Sequence, residues 1–204
     1  MTTSGSVTGA EPTVGRSVRA IRRRDDGGVS DSTRGRLLVA SPDLDDPNFR
    51  RTVVLVLTHD VEGAVGLVLN RPTDIAIGEA LPDWAAVASP PACLYVGGPV
   101  QPDAAIGIGC GGRALVDPVL GRLGAVDLDG PAAEHDSVRV FIGYAGWGPL
   151  QLDTEIARGD WIVVDAEFAD VTTAHPEELW REVLRRQRGR VALFALAPED
   201  PTLN

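Results

Sequence analysis

The stretch from Arg51 to Asn70 constrains this chain more than any other. RTVVLVLTH (51–59) is a run of leucines and β-branched residues with the length of a buried strand. Asp60 to Gly63 has turn chemistry, and AVGLVLN (64–70) returns as the hairpin partner. Other segments offer neighbours. GRLLVASP reads as a strand running into a proline turn, and CLYVGG (93–98), AAIGIG (104–109), VRVFIGY (138–144), WIVVD (161–165) and VALFALA (191–197) read as strands too. Two helices are punctuated. Pro149 suits a first helical position before LQLDTEIAR, with Gly159 as the stop, and Pro176, Glu177 and Glu178 open a second helix that Gly189 closes. A weaker helix is expected near Ile77 to Leu81. Strands outnumber helices, and hairpins mix with strand–helix–strand units. The pattern is that of a mixed α+β protein, not a doubly wound parallel one.

Residues 1–33 are rich in Ser, Thr, Gly and Arg and have little to bury, so they are expected to form a disordered tail ahead of a single domain over 34–204. Val14, Val18 and Ile21 do fall at helical spacing there, as in a basic amphipathic arm. The tail holds five arginines against four acids. Since the chain's formal charge is −10, the remainder carries −11. Such a surface repels phosphates and argues against nucleic acid as a partner. Every basic residue is Arg, so Schiff-base chemistry, a lysine general base and the P-loop lysine are excluded. No apolar run has the length of a membrane span, and the N-terminus lacks a secretory stretch, so a cytoplasmic protein is expected. Cys93 and Cys110 read as small core residues in a reducing compartment, although their spacing leaves a disulfide open.

The familiar catalytic patterns fail on their context. Gly107, Gly109 and Gly112 fit G-x-G-x-x-G, but RALVDPVLG follows, with Pro118 and no helical stripe to meet a pyrophosphate. Asp43, Asp45 and Asp46 could serve a metal or acid–base pair. Ser41–Pro42 and Asp46–Pro47 read more simply as helix N-caps followed by proline. His59, Asp60 and Glu62 cluster at the hairpin tip as turn residues, while His135 and His175 lack partners at ligand spacing. There is no nucleophile elbow. The Arg181, Arg185, Arg186, Arg188 and Arg190 run is the one basic patch of the body, and such a run usually marks a solvated face. No catalytic residue, metal or cofactor is therefore assigned.

A different feature points to a site. LVLNRP (67–72), YVGGPV (95–100) and IGYAGWGP (142–149) each pass from apolar residues through a Gly or Asn turn to proline. If these strands run the same way, their ends gather at one rim of the sheet, where α/β ligands bind. Glycine there permits close backbone approach to a ligand. The alternative is three well-made turns. The candidate binding residues are Asn70, Arg71, Gly97, Gly98, Tyr144, Trp147 and Gln151, with Arg71 pairing to an anionic group and the aromatics stacking.

GRLLVASPDLDDPNFRRTVVLVLTHDVEGAVGLVLNRP, YVGGPV, FIGYAGWGPLQLDTEI and WIVVDA, in that order, resemble the AlgH/YqgE family of bacterial proteins from about Gly35 to the C-terminus. Leu150 stands where that family usually has glycine, and Asp153 where it usually has glutamate. The resemblance implies a compact α+β fold with a curved, mostly antiparallel mixed sheet and about three helices. It implies no particular activity. The family name reflects a proposed role in transcriptional regulation, which this acidic domain does not suit as a direct DNA contact. The expectation is a non-enzymatic regulatory module binding a small molecule or protein. The alternatives are an enzyme using Asp43, Asp46 or Glu62, with or without a metal, and a nucleic-acid-binding regulator.

Overall fold

A computed structural model of the chain describes residues 32–111 and 115–198. The expected tail therefore lies outside the described residues except for Ser32 and Thr33, and so does Gly112. Within them the strands are β1 (Arg36–Ala40), β2 (Val53–Asp60), β3 (Gly63–Val68), β4 (Pro72–Ala76), β5 (Cys93–Val96), β6 (Val100–Cys110), β7 (Leu115–Leu120), β8 (Leu123–Val126), β9 (Ser137–Trp147) and β10 (Trp161–Asp165). The helices are α1 (Ile77–Ala80), α2 (Gln151–Arg158), α3 (Phe168–Thr172), α4 (Leu179–Arg185) and α5 (Arg190–Leu193).

The strands form one curled sheet in the order β10-β1-β2-β3-β9-β6-β8-β7, and β5 pairs with both β4 and β9. Among the named strands only β5 and β9 pair in parallel. Strand β9 organises the middle. Val140–Ile142 pairs with β5 and Ala145–Trp147 with β3, while β6 occupies its other edge. The long apolar run of β2 is explained by its position. Val53, Leu55 and Leu57 pack towards α4, and Val54 and Val56 pack on the opposite face, so both faces are buried. On that second face the β1–β2 loop folds back, bringing Leu44 and Phe49 onto the core beside Leu152 and Ile156 of α2.

Several expectations are corrected by this packing. Val191–Ala197 is not a strand. It forms α5 and a following 3-10 turn, because Val191, Phe194 and Ala197 recur at helical spacing and pack together against the α4 core. Ser41 and Asp46 do not cap helices. Ser41 accepts a turn bond from Leu44, and the Asp46 side chain accepts the Asn48 N–H at 2.8 Å within a turn. Helix α2 starts at Gln151, two residues after Pro149, because Leu150 takes a left-handed φ of 58°. Gly107 and Gly109 lie inside β6, paired with β8, where added side chains would strike Val126. They serve sheet packing. Both cysteines are free thiols, and Cys110 is buried. No helix among the described residues is long and apolar enough to cross a membrane.

Candidate functional site

Four of the seven candidate residues assemble at a fork in the sheet, and a fifth flanks it. Beyond Gly66, strand β3 parts from β9, and the Gly97 end of β5 wedges into the gap. Val68 donates its N–H to the Gly97 carbonyl at 2.9 Å, and Gly97 donates to the Ile142 carbonyl at 2.8 Å. A side chain has no room there. A Cβ on Gly97 would lie 2.3 Å from the Gly143 carbonyl oxygen, and one on Gly98 would lie 2.2 Å from the Tyr144 carbonyl carbon. These glycines thus admit a neighbouring strand, where the sequence reading has them admit a ligand, and Gly98 also lines a hollow beside Arg71. Tyr144 flanks them, half-buried against the core and opposite Val100 of β6.

Asn70 and Arg71 carry the chain across the fork from β3 to β4. The Asn70 side chain accepts the Val53 N–H at 2.9 Å and donates to the Arg51 carbonyl at 2.8 Å, so it is a buried clamp on the start of β2. Arg71 is different. Its backbone carbonyl accepts the Val96 N–H, and Nη2 donates to the Arg50 carbonyl at 2.6 Å. The guanidinium is half-buried, and no carboxylate pairs with it among the described residues. Burial lowers its pKa from the ordinary arginine value, and the Arg50 charge lowers it further.

Around Arg71 lies a groove of about 700 Å³, walled by Pro47, Arg50 and Arg51 from the β1–β2 loop and by Glu177, Trp180 and Arg181 from the C-terminal helices. Arg51 sits 4.4 Å above the Trp180 ring and donates to the carbonyls of Ala197 and Pro198, tying the C-terminal segment to this wall. A smaller hollow of about 200 Å³ adjoins it, sharing Pro47 and Arg71 and lined otherwise by Asn48, Val68, Val96, Gly98 and Pro99.

Trp147 and Gln151 do not join this site. β3 runs antiparallel to β9, so Trp147 pairs with Ala64, at the hairpin end of β3 and away from Val68. β5 is parallel to β9 but stops at Val96, opposite Ile142. The three proline-bearing turns therefore do not share one rim, and Trp147 does not face outward. It is 6 % exposed, stacked on Phe49 with ring centroids 6.1 Å apart. Gln151 is exposed, but its side chain accepts the Gly148 N–H and donates to Glu155, closing the first turn of α2.

The remaining candidates are dispersed. His59 is buried in β2, with Nδ1 facing the Thr33 hydroxyl at 3.0 Å and Nε2 3.4 Å from Asp153. No set of three His, Cys, Asp or Glu residues among those described has the arrangement to hold a metal. In the arginine run, Arg186 is bound to Asp170 and Glu167, whereas Arg181 reaches the groove. The sequence reading does not place Arg50, Arg51 and Trp180 among the site residues. The adjacent arginines before β2 were the signal available, but only the fold-back of the β1–β2 loop gives them a common wall.

The AlgH-like family model matches residues 37–192. A UPF0301 protein of Streptomyces coelicolor is 50% identical over 185 residues, covering 85% of this chain and 96% of its own length. The crystal structure of a Corynebacterium diphtheriae protein superposes with a TM-score of 0.74 at 30% identity, covering 87% of this chain and 95% of that one. The solution structure of the AlgH protein from Pseudomonas aeruginosa gives a TM-score of 0.61 at 29% identity, covering 86% of this chain and 100% of its own.

Proposed function

The chain belongs to the AlgH-like family, and from that premise we propose that it is a non-enzymatic binding module whose site is the arginine groove at the sheet fork. One observation carries this reading. Arg71 keeps a charged head half-buried, pressed by Arg50 and without a carboxylate partner, in a chain whose formal charge is −10. Holding a desolvated cation beside another cation costs stability, and an anion supplied from outside offsets that cost. Arginine suits the task because its planar fork donates two parallel bonds to one oxyanion. The wall residues come from the β1–β2 loop, the β3–β4 crossing and α4, so occupancy would join three separate parts of the fold.

Inorganic phosphate is the simplest probe. At constant ionic strength, titration into the wild-type chain should raise the melting temperature in the manner of a ligand that binds only the folded state. Arg71→Ala should abolish that rise while leaving the far-ultraviolet spectrum intact. An equal rise in both proteins removes the site from this groove.

A further inference from the structure

We infer that Cys93 is an oxidation site, a thiol that peroxide converts to a sulfenic acid held by Arg139 and Tyr95. This does not depend on the anion reading of the groove. Arg139 is 2 % exposed, and no carboxylate among the described residues pairs with it. Its Nη2 donates to the Pro90 carbonyl at 2.8 Å and to the Thr173 carbonyl at 2.7 Å. These bonds fix the guanidinium 4.6 Å from the centre of the Tyr95 ring. Nε and Nη1 are buried without a hydrogen-bond partner, and so is the hydroxyl of the fully buried Tyr95. Unpaired buried donors cost stability, so three of them gathered at one place call for an acceptor.

Sheet register brings the Cys93 thiol to them. Leu94 lies beside Val140 and Tyr95 beside Phe141 in the parallel β5–β9 pair, so Cys93 lies beside Arg139 one residue earlier. Alternation along the strands puts Cys93 and Tyr95 on one face with Arg139 and Phe141. Burial lowers the Arg139 pKa, and charge on Tyr95 and on Cys93 opposes that. A thiol sulfur is a weak acceptor, whereas a sulfenic oxygen answers the waiting donors. Access differs too, since Cys93 is partly exposed and Cys110 is buried.

In the step, sulfur attacks one oxygen of hydrogen peroxide. An S–O bond forms as the O–O bond breaks, and two electrons pass from sulfur to the peroxide. The displaced hydroxide takes the thiol proton and leaves as water. Negative charge develops on that leaving oxygen, where fixed donors from Arg139 and Tyr95 stabilise it. The sheet blocks resolution within the chain. Cys110 lies on β6, across β9 from β5 and opposite Ser137. Two strand spacings, roughly 9–10 Å, exceed the reach of a disulfide. The sulfenic acid therefore persists until an outside thiol caps it.

The test is oxidation of the full-length chain by limiting hydrogen peroxide at neutral pH, with dimedone trapping sulfenic acid and mass spectrometry locating the adduct. Dimedone should mark Cys93 and leave Cys110 unmarked. Cys93 should react about tenfold faster in the folded chain than in the same chain unfolded in urea, the fold-change expected from one added hydrogen bond to a charged group. Tyr95→Phe keeps the ring and its packing and should slow Cys93 oxidation about tenfold. Arg139→Met should slow it at least as much. Absence of the Cys93 adduct would overturn the inference. So would a folded rate no faster than the unfolded one, which would make Cys93 merely an exposed thiol. Either variant oxidising as fast as wild type would also overturn it, and Tyr95→Phe supplies that comparison even where Arg139→Met fails to fold.

Discussion

Trp147 donates its indole N–H to Glu155 Oε2 at 2.8 Å, and the same oxygen receives the Trp161 indole at 2.8 Å. One carboxylate therefore pins α2 to the ends of β9 and β10. Beside it the Trp161 ring packs edge-on against Trp147 and Phe49, with 5.9 Å between the indole centroids and 5.5 Å from Phe49 to Trp161. The expected consequence is a strong and graded dependence on position 155. Glu155→Leu leaves two indole donors unpaired, each costing about 1–3 kcal/mol, so a loss of roughly 3 kcal/mol is expected in urea unfolding followed by tryptophan fluorescence. Glu155→Gln keeps an acceptor and should lose about 1 kcal/mol. Equal losses in the two variants would show that the acceptor is not what matters.

At the fork, the absent side chains are the critical ones. Gly97→Ala places a methyl group against the Gly143 carbonyl oxygen and the Phe141 and Leu67 side chains. Backbone cannot yield there without parting β5 from β9. A loss of about 2–3 kcal/mol is expected. Gly146→Ala, on β9, comes no nearer than 3.4 Å to the Tyr144 ring and 3.5 Å to the Val100 side chain, and should change stability by less than about 1 kcal/mol. Melting curves of the two variants provide the comparison.

The Tyr95 phenol gives a pH signature. Burial pushes its pKa up to about 12, against the opposing pull of the Arg139 guanidinium, whose centre lies 4.6 Å from the ring. The raised value means the folded state keeps its proton after the unfolded chain, with an ordinary pKa near 10, begins to lose it. The stabilising contribution is complete below pH 10 and is lost as pH rises from about 10 to 12, at roughly 1.4 kcal/mol per pH unit. Tyr95→Phe should flatten that part of the stability profile measured by urea midpoints. Lysine is absent from the chain, so no ammonium group complicates the window apart from the N-terminus.

Arg71 should behave as a residue kept for binding at some expense to the fold. Burial and Arg50 both disfavour its charged form. Arg71→Met, which retains an apolar stem without the charge, is expected to leave stability unchanged or raise it by up to about 1 kcal/mol, with the gain largest at low salt. A loss exceeding 1 kcal/mol in thermal unfolding would mark Arg71 as structural.

Parts of the fold were legible because they depend on neighbours in sequence. The Val53–Asp60 and Gly63–Val68 hairpin announces itself through apolar runs around a turn, and Gly159 closes α2 with a φ of 90°. The Val191–Ala197 run reads wrongly as a strand for the same local reason. A short apolar stretch fits strand or helix until its partner is known, and α4 is that partner. Strands β4, β7 and β8 lacked a strong local signal. Pro72 opens one of them and Pro118 lies inside another.

The site divides along the same line. Residue chemistry alone singled out Arg71, set between an asparagine and a proline, and Gly97–Gly98 as a place of close approach. The sequence places Trp147 at the same rim because its turn resembles the others, yet strand direction sends it to the far end of β3. Arg50 and Arg51 reach the groove only because the loop before β2 folds over the sheet.

The sequence by itself determined the alternation of strand and turn, the acidic body, the arginine-only basicity and the family, since these rest on residue type and short-range order. Tertiary structure alone decided which turns meet. Strand direction and register are set by burial summed over the whole sheet, and no local stretch of chain carries that information.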